Sequence, residues 1–307
     1  MSPSYLTGLA YKVGEIRSLD ELPDLADQER SAWKARGFRS ICINTRSLRE
    51  ICVSAAEGTL RRCAIRPSQV GAIVMANSSA SSTLAQDTDL VAGLSSLGFG
   101  PARIFGLGMQ ACSVASGALQ LASCLLADET IKNVLVIVFG QANDVRERFG
   151  QATLFSDGAV ACVVSSDRGP FEVVVNATTT DVALAAASAA NPNSVARSYR
   201  NVCSTLKSVL ERSGVSAGEI REVFAGNTNQ GSLQLIAEAA GVTLPVVYRD
   251  GLPRFGHVFA CDGLIGLHDY VDANEAEEGD CFLLVGWSSH VVGATVLRWV
   301  AAGTSDR

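Results

Sequence analysis

Two stretches of this chain run through the same succession of elements, and that repetition limits what it can fold into. In the first, helix-like Ser47–Cys63 leads through a turn into the apolar run Pro67–Ala76 and then the polar Asn77-Ser-Ser. In the second, helix-like Tyr199–Ser213 leads into Ala217–Ala225 and then Gly226-Asn-Thr-Asn. Each half closes on two apolar runs: Asn133–Phe139 and Ala159–Val164 in the first, Cys281–Val285 and Gly293–Trp299 in the second. Continuous apolar runs rich in β-branched residues predict strands buried on both faces. Strands alternating with helices predict an α/β protein. The duplication predicts two similar halves, residues 1–167 and 168–307, divided near Asp167–Pro170. Ligands of such folds gather at loops beyond the strand ends, where Cys112, Asn227 and Gly286–His290 fall.

Bulk properties narrow the function. The 307 residues are 48% hydrophobic and 18% charged, which suits a well-packed protein of enzyme size. A net charge of −6 with no basic block argues against nucleic acid as a partner. An acidic carrier protein stays compatible, because a local arginine patch can form on an acidic surface. No apolar run has the length of a membrane span, and Met1–Ala10 lacks the basic and apolar segments of a secretion signal. The nine cysteines are scattered, with no C-x-x-C pair, as expected of free thiols in a reducing cytoplasm. There is no G-x-G-x-x-G with a following ribose-binding acid and no phosphate loop, so a nucleotide cofactor is not expected. His257 and Cys261 stand at i, i+4, but two ligands without a third do not make a metal site.

One cysteine stands apart. Cys112 lies in Gly106-Leu-Gly-Met-Gln-Ala-Cys112-Ser-Val-Ala-Ser-Gly117, a small-residue turn entering the apolar run Ala118–Ala127. A helix start favours a thiolate through its N–H groups and dipole, and small neighbours admit a substrate. Cys112 is therefore the candidate nucleophile. A nucleophilic cysteine needs a base and a group to orient it. His257, in Arg254-Phe-Gly-His257-Val-Phe-Ala-Cys-Asp262, is the candidate base, and Asp262 the carboxylate for its other nitrogen. Spacing alone reads equally as a loop histidine followed by a helix-capping aspartate. His268 sits in the amphipathic Leu264–Val271 and reads as a packing or surface residue. His290 lies in a polar turn and is given no role. Leu154-Phe-Ser-Asp157-Gly158 reads as a tight turn before a strand.

Together these pieces resemble the thiolase superfamily, within it the β-ketoacyl-acyl-carrier-protein synthase III group. The resemblance rests on Gln110-Ala-Cys112-Ser-Val-Ala-Ser-Gly, Lys132-Asn-Val-Leu-Val-Ile, Phe155-Ser-Asp-Gly-Ala-Val-Ala, Phe255-Gly-His257 and Gly279-Asp-Cys-Phe-Leu-Leu-Val-Gly286, in that order over nearly the whole chain. It implies a duplicated five-layer αβαβα fold, usually a homodimer. Condensing members look like Cys-His-Asn. Here the histidine position falls at Gly226 and the asparagine position holds His257, which removes one of two donors to an enolate oxygen. Acyltransferase-like members carry Cys or Ser with a Gly-His-x-x-x-x-Asp loop, and Cys112, His257 and Asp262 fill those places.

That branch implies transfer of an acyl group in secondary metabolism, such as polyketide biosynthesis. The donor would be an acyl carrier protein or coenzyme A thioester. The acyl group would pass through Cys112 to a hydroxyl, amine or thiol acceptor. No cofactor is implied beyond the pantetheine arm of the substrate. Asn227 would assist by hydrogen bonding, and the loop Trp287–His290, with Ser289, would help hold the oxyanion. Trp33 and Arg36 resemble the family segment that touches the pantetheine arm, and Arg249 and Arg254 would extend a cationic rim for its phosphate or an acidic carrier. Ser78–Asp89 and Thr178–Arg200, small and polar, would shape the acyl tunnel. Two other readings remain: a condensing enzyme using Cys112, His257 and Asn227, and a non-catalytic subunit of a heterodimeric synthase.

Overall fold

The structure, a computed structural model, describes residues 3–22, 25–79, 83–142, 144–150, 152–186 and 191–300. The first half runs β1 (Tyr5–Val13), β2 (Glu15–Ser18), α1 (Asp27–Ala35), β3 (Ser40–Ile43), α2 (Leu48–Cys63), β4 (Ala72–Asn77), α3 (Leu84–Ser95), β5 (Arg103–Leu107), α4 (Val114–Leu125), β6 (Asn133–Gly140), α5 (Val145–Arg148) and β7 (Gly158–Ser165). The second runs β8 (Phe171–Thr180), α6 (Val182–Ala185), α7 (Pro192–Ser213), β9 (Ile220–Ala225), α8 (Gln230–Ala240), α9 (Gly251–Phe255), α10 (Asp262–Ala273), β10 (Cys281–Trp287) and β11 (Val291–Trp299). Among the described residues, nine strands join in the order β5-β4-β6-β7-β1-β8-β11-β10-β9, and β2 pairs with β3 apart from them.

The two ends of this array mirror each other. β4 and β6 are parallel and β6 and β7 antiparallel; β9 and β10 are parallel and β10 and β11 antiparallel. Where β5 flanks β4, only a single parallel bridge from Val223 to Val247 flanks β9. The halves meet through a short antiparallel pairing of β1 with β8, at Tyr5–Glu172 and Leu6–Phe171. Asp167 lies in the connection between β7 and β8.

Strand alternation produces the layers. On β6, Val134, Val136 and Val138 enter the central core, while Leu135, Ile137 and Phe139 enter an outer core with Ile51, Ala55 and Leu90. On β10, Phe282 and Leu284 enter the central core, while Leu283 and Val285 enter a second outer core with Val202, Leu206 and Ile236. Helices α4 and α10 fill the middle; α4 touches β4 and β6 on one side and β8, β10 and β11 on the other. Helix α2 with α3 covers one outer face, and α7 with α8 the other. The result is the duplicated five-layer α/β/α/β/α arrangement.

Some local structure departs from expectation. The segment Thr178–Arg200 holds the end of β8, α6 and the start of α7, which begins at Pro192 behind an Asn191 cap. Much of it is therefore regular. Ser78–Asp89 includes the first turns of α3. Residues 80–82 and 187–190 of these two segments lie outside the described residues, as does most of the chain start ahead of Ser4.

Candidate active site

Cys112 stands within, and His257 just ahead of, corresponding turns of the two halves. Ala111–Ser113 is a single 3-10 turn that runs into α4, and Phe259–Cys261 is one that runs into α10. Left-handed backbone accompanies both turns: Met109 (φ 62°) and Ala111 (φ 42°) before the cysteine, Gly256 (φ 69°) and Phe259 (φ 51°) around the histidine. Left-handed non-glycine residues cost roughly 1–3 kcal/mol each and cluster where a side chain must be aimed. The cysteine turn is also seated on bare backbone. A Cβ on Gly286 would stand 2.3 Å from the Cys112 carbonyl oxygen, and one on Gly293 would stand 2.8 Å from Ser116 Cβ. Ser113 Oγ fixes the seat by donating to the Gly286 carbonyl at 2.8 Å.

The side chains converge. Cys112 Sγ is 3.2 Å from His257 Nε2, and His257 Nδ1 is 2.5 Å from Asp262 Oδ2. Asp262 accepts two further bonds, from the backbone N–H of Asn227 at 2.7 Å and of Val258 at 2.8 Å. Its carboxylate is thus fully held. His257 and Asp262 are buried, and Cys112 is partly exposed. Burial by itself lowers the proton affinity of His257. The negative charges of Cys112 and Asp262 and their hydrogen bonds more than reverse this and push its pKa up to about 10. The geometry therefore favours the protonated imidazole.

Residues that the sequence marks only as a turn lock the histidine backbone. His257 N–H donates to Leu154 O at 2.9 Å, and Ser156 N–H donates to His257 O at 2.8 Å. Ser156 Oγ donates to Phe255 O at 2.5 Å and accepts from Cys42 N–H at 2.9 Å. Next to it, Asp157 forms a buried bidentate pair with Arg148 (3.0 and 2.6 Å) and accepts from Asn44 and Ala142 N–H. The Phe-Ser-Asp-Gly motif was legible as a turn; its clamp on the histidine depends on a contact a hundred residues away, which spacing does not reveal.

Other expected site residues fall elsewhere. Asn227 meets the site through its backbone N–H, while its carboxamide lies against Gly251. Ser289 sits on the exposed tip of the β10–β11 turn, its hydroxyl 3.3 Å from His290 Nδ1, and Ser288 N–H is engaged by Val291 O. The strand end that touches the cysteine turn is Gly286. Trp33 is buried, edge-on to Phe38 at 5.7 Å and near Phe149, so it anchors a core rather than offering an open ring face. The exposed Arg36 lies over it, 4.6 Å from the ring centre. Arg254 is committed to Asp269 at 2.8 Å and covers Phe255; Arg249 is exposed ahead of α9. His268 bonds Asp269 and meets Tyr11 edge-on, a packing role. Among the described residues no cluster of side chains is arranged to hold a metal ion, and no helix is long and apolar enough to cross a membrane.

Two family models match the chain. Residues 109–181 match 3-oxoacyl-(acyl-carrier-protein) synthase III, and residues 210–299 match its C-terminal part. Together they span more than half of the sequence and include Cys112, His257 and Asp262. The chain belongs to the thiolase superfamily, as a member of the 3-oxoacyl-(acyl-carrier-protein) synthase III-like family. Solved structures share the fold. ChlB3, an acyltransferase, is 16% identical with a TM-score of 0.84 over 97% of this chain and 98% of its own. The synthase III of Aquifex aeolicus VF5 is 19% identical with a TM-score of 0.80, over 96% and 100%. OleA of Xanthomonas campestris is 14% identical with a TM-score of 0.81, over 97% and 98%. Comparison with curated proteins found no significant sequence match.

Proposed function

We propose that this chain is an acyltransferase that takes an acyl group from a carrier-protein or coenzyme A thioester onto Cys112 and passes it to a hydroxyl, amine or thiol acceptor. The observation that carries this reading is the hydrogen-bonded line from Cys112 Sγ through His257 to Asp262, with Gly226 at the position where condensing members resemble one another in carrying their histidine. In the first half-reaction the Cys112 thiolate attacks the thioester carbonyl, and its own backbone N–H would donate to the developing oxyanion. The carbon–sulfur bond to the pantetheine arm breaks, and the His257 imidazolium gives that thiolate its proton. The charge of Cys112 is the largest influence raising His257, and acylation removes it. The imidazole is then a base. It takes the acceptor's proton as the acceptor attacks the thioester, and the Cys112 thiolate leaves to restore the starting pair. Asp262 holds the tautomer throughout.

The exposed Arg36 and Arg249 suit the phosphate of a pantetheine arm, and a homodimer in the cytoplasm, with no cofactor of its own, completes the proposal. Family membership favours a second reading, decarboxylative condensation. A malonyl thioester separates them. Transfer gives ester, amide or thioester product with no carbon dioxide; carbon dioxide released in step with a carbon–carbon product overturns the transfer reading.

A further inference from the structure

The cavity beside Cys112 is small. About 20 Å³ is open there, bounded by Ser116, Gly226, Phe259, Leu264, Leu284 and Gly286. That is room for one water-sized group, such as the methyl of an acetyl. Phe259 is the large side chain on its wall. Its left-handed backbone is in a conformation that bulky residues rarely adopt, and its ring is fixed on two sides. It stacks on Phe155 at 4.7 Å and 22°, and it lies so close to Gly140 that a Cβ there would be 2.5 Å from the Phe259 ring. The Ala260 N–H, bonded to Ser78 Oγ at 3.3 Å, pins the same turn to the loop after β4.

We propose that Phe259 is the residue that sets acyl length: its ring closes the cavity beside Cys112 and restricts the acyl-Cys112 thioester to short chains such as acetyl. This rests on the acyl-Cys112 reading above. The test uses acetyl- and octanoyl-pantetheine, which carry the arm common to both donor types, with the Cys112 peptide followed by mass spectrometry. The wild-type protein is expected to acylate at least ~100-fold faster from acetyl- than from octanoyl-pantetheine. Phe259→Ala is expected to raise the octanoyl-to-acetyl rate ratio ~10-fold or more, and Phe259→Leu, which keeps an apolar side chain for folding, to raise it less. A wild-type protein that takes octanoyl as readily as acetyl overturns the proposal, as does an unchanged ratio in whichever variant folds. If neither thioester modifies Cys112, it is the acyl-enzyme itself that fails, and this proposal with it.

Discussion

Gly226 faces the edge of the His257 imidazole: a Cβ built on it would stand 3.5 Å from His257 Cε1. That spacing is ordinary contact, so Gly226→Ala is expected to leave transfer rates within ~3-fold, whereas anything larger must displace the imidazole. Gly226→His is expected to lower transfer by about 100-fold, the scale of a 1 Å misplacement of a catalytic group. Initial rates with one donor and one acceptor measure both; a Gly226→His variant as fast as the wild type would show that the vacant position is not needed for His257.

Asp262→Asn is a sharper probe than removal. Its carboxylate accepts from His257, Asn227 and Val258 together, and an amide nitrogen in that place must face a donor. A buried unsatisfied donor costs about 1–3 kcal/mol. The variant is expected to melt at a lower temperature and to transfer ~10⁴-fold more slowly through the wrong tautomer. His257→Ala is expected to lose the ~10²–10⁴-fold that general acid–base assistance supplies.

The pH dependence follows from the sign of the His257 shift. The folded protein holds this proton more tightly than the unfolded chain, whose histidine titrates near 6.5, against about 10 when folded. The group's contribution to stability is therefore complete below pH 6.5 and is lost as pH rises toward about 10. Thermal melts across this window are expected to fall more steeply for the wild type than for His257→Asn. Alkylation of Cys112, which removes the charge that most raises His257, is expected to flatten the curve. Identical slopes in all three samples would contradict the upward shift of His257 and its dependence on Cys112.

The Arg148–Asp157 pair is buried on both sides and sits one residue from the Ser156 clamp. Breaking a buried pair costs about 3–5 kcal/mol. Arg148→Ala is expected to lower denaturant stability by that amount. Because the clamp holds the His257 backbone, transfer under native conditions is expected to fall as well. A variant that loses stability and keeps full activity would make the pair structural alone.

The buried strands were legible because β-branched runs such as Asn133–Phe139 leave few alternatives once both faces are covered. β1 was not: Gly8 interrupts Tyr5–Val13, and its pairing with β7 shifts register between Thr7 and Ala10. Cys112, His257 and Asp262 could be singled out from their glycine-rich settings, and the fold brings their side chains within hydrogen-bond distance. Trp33 was read as a contact for the pantetheine arm, and its burial against Phe38 was not legible, since an aromatic near a helix end carries the same sequence signal whether it faces solvent or a core. Asn227 was marked for its side chain, yet it is the backbone N–H that meets Asp262, and backbone donors have no residue type. Phe259 escaped notice because its place depends on the bare Cα of Gly140 across the sheet.

The most direct measurement is the mass of the Cys112 peptide after mixing with acetyl-pantetheine, followed by addition of an acceptor. One acetyl group on Cys112, discharged rapidly by a hydroxyl, amine or thiol acceptor in the wild type and far more slowly in His257→Ala, is the expected result. A Cys112 that stays unmodified, or an acetyl group that leaves at the same rate with or without His257, would contradict a thiolate and imidazole working as one unit.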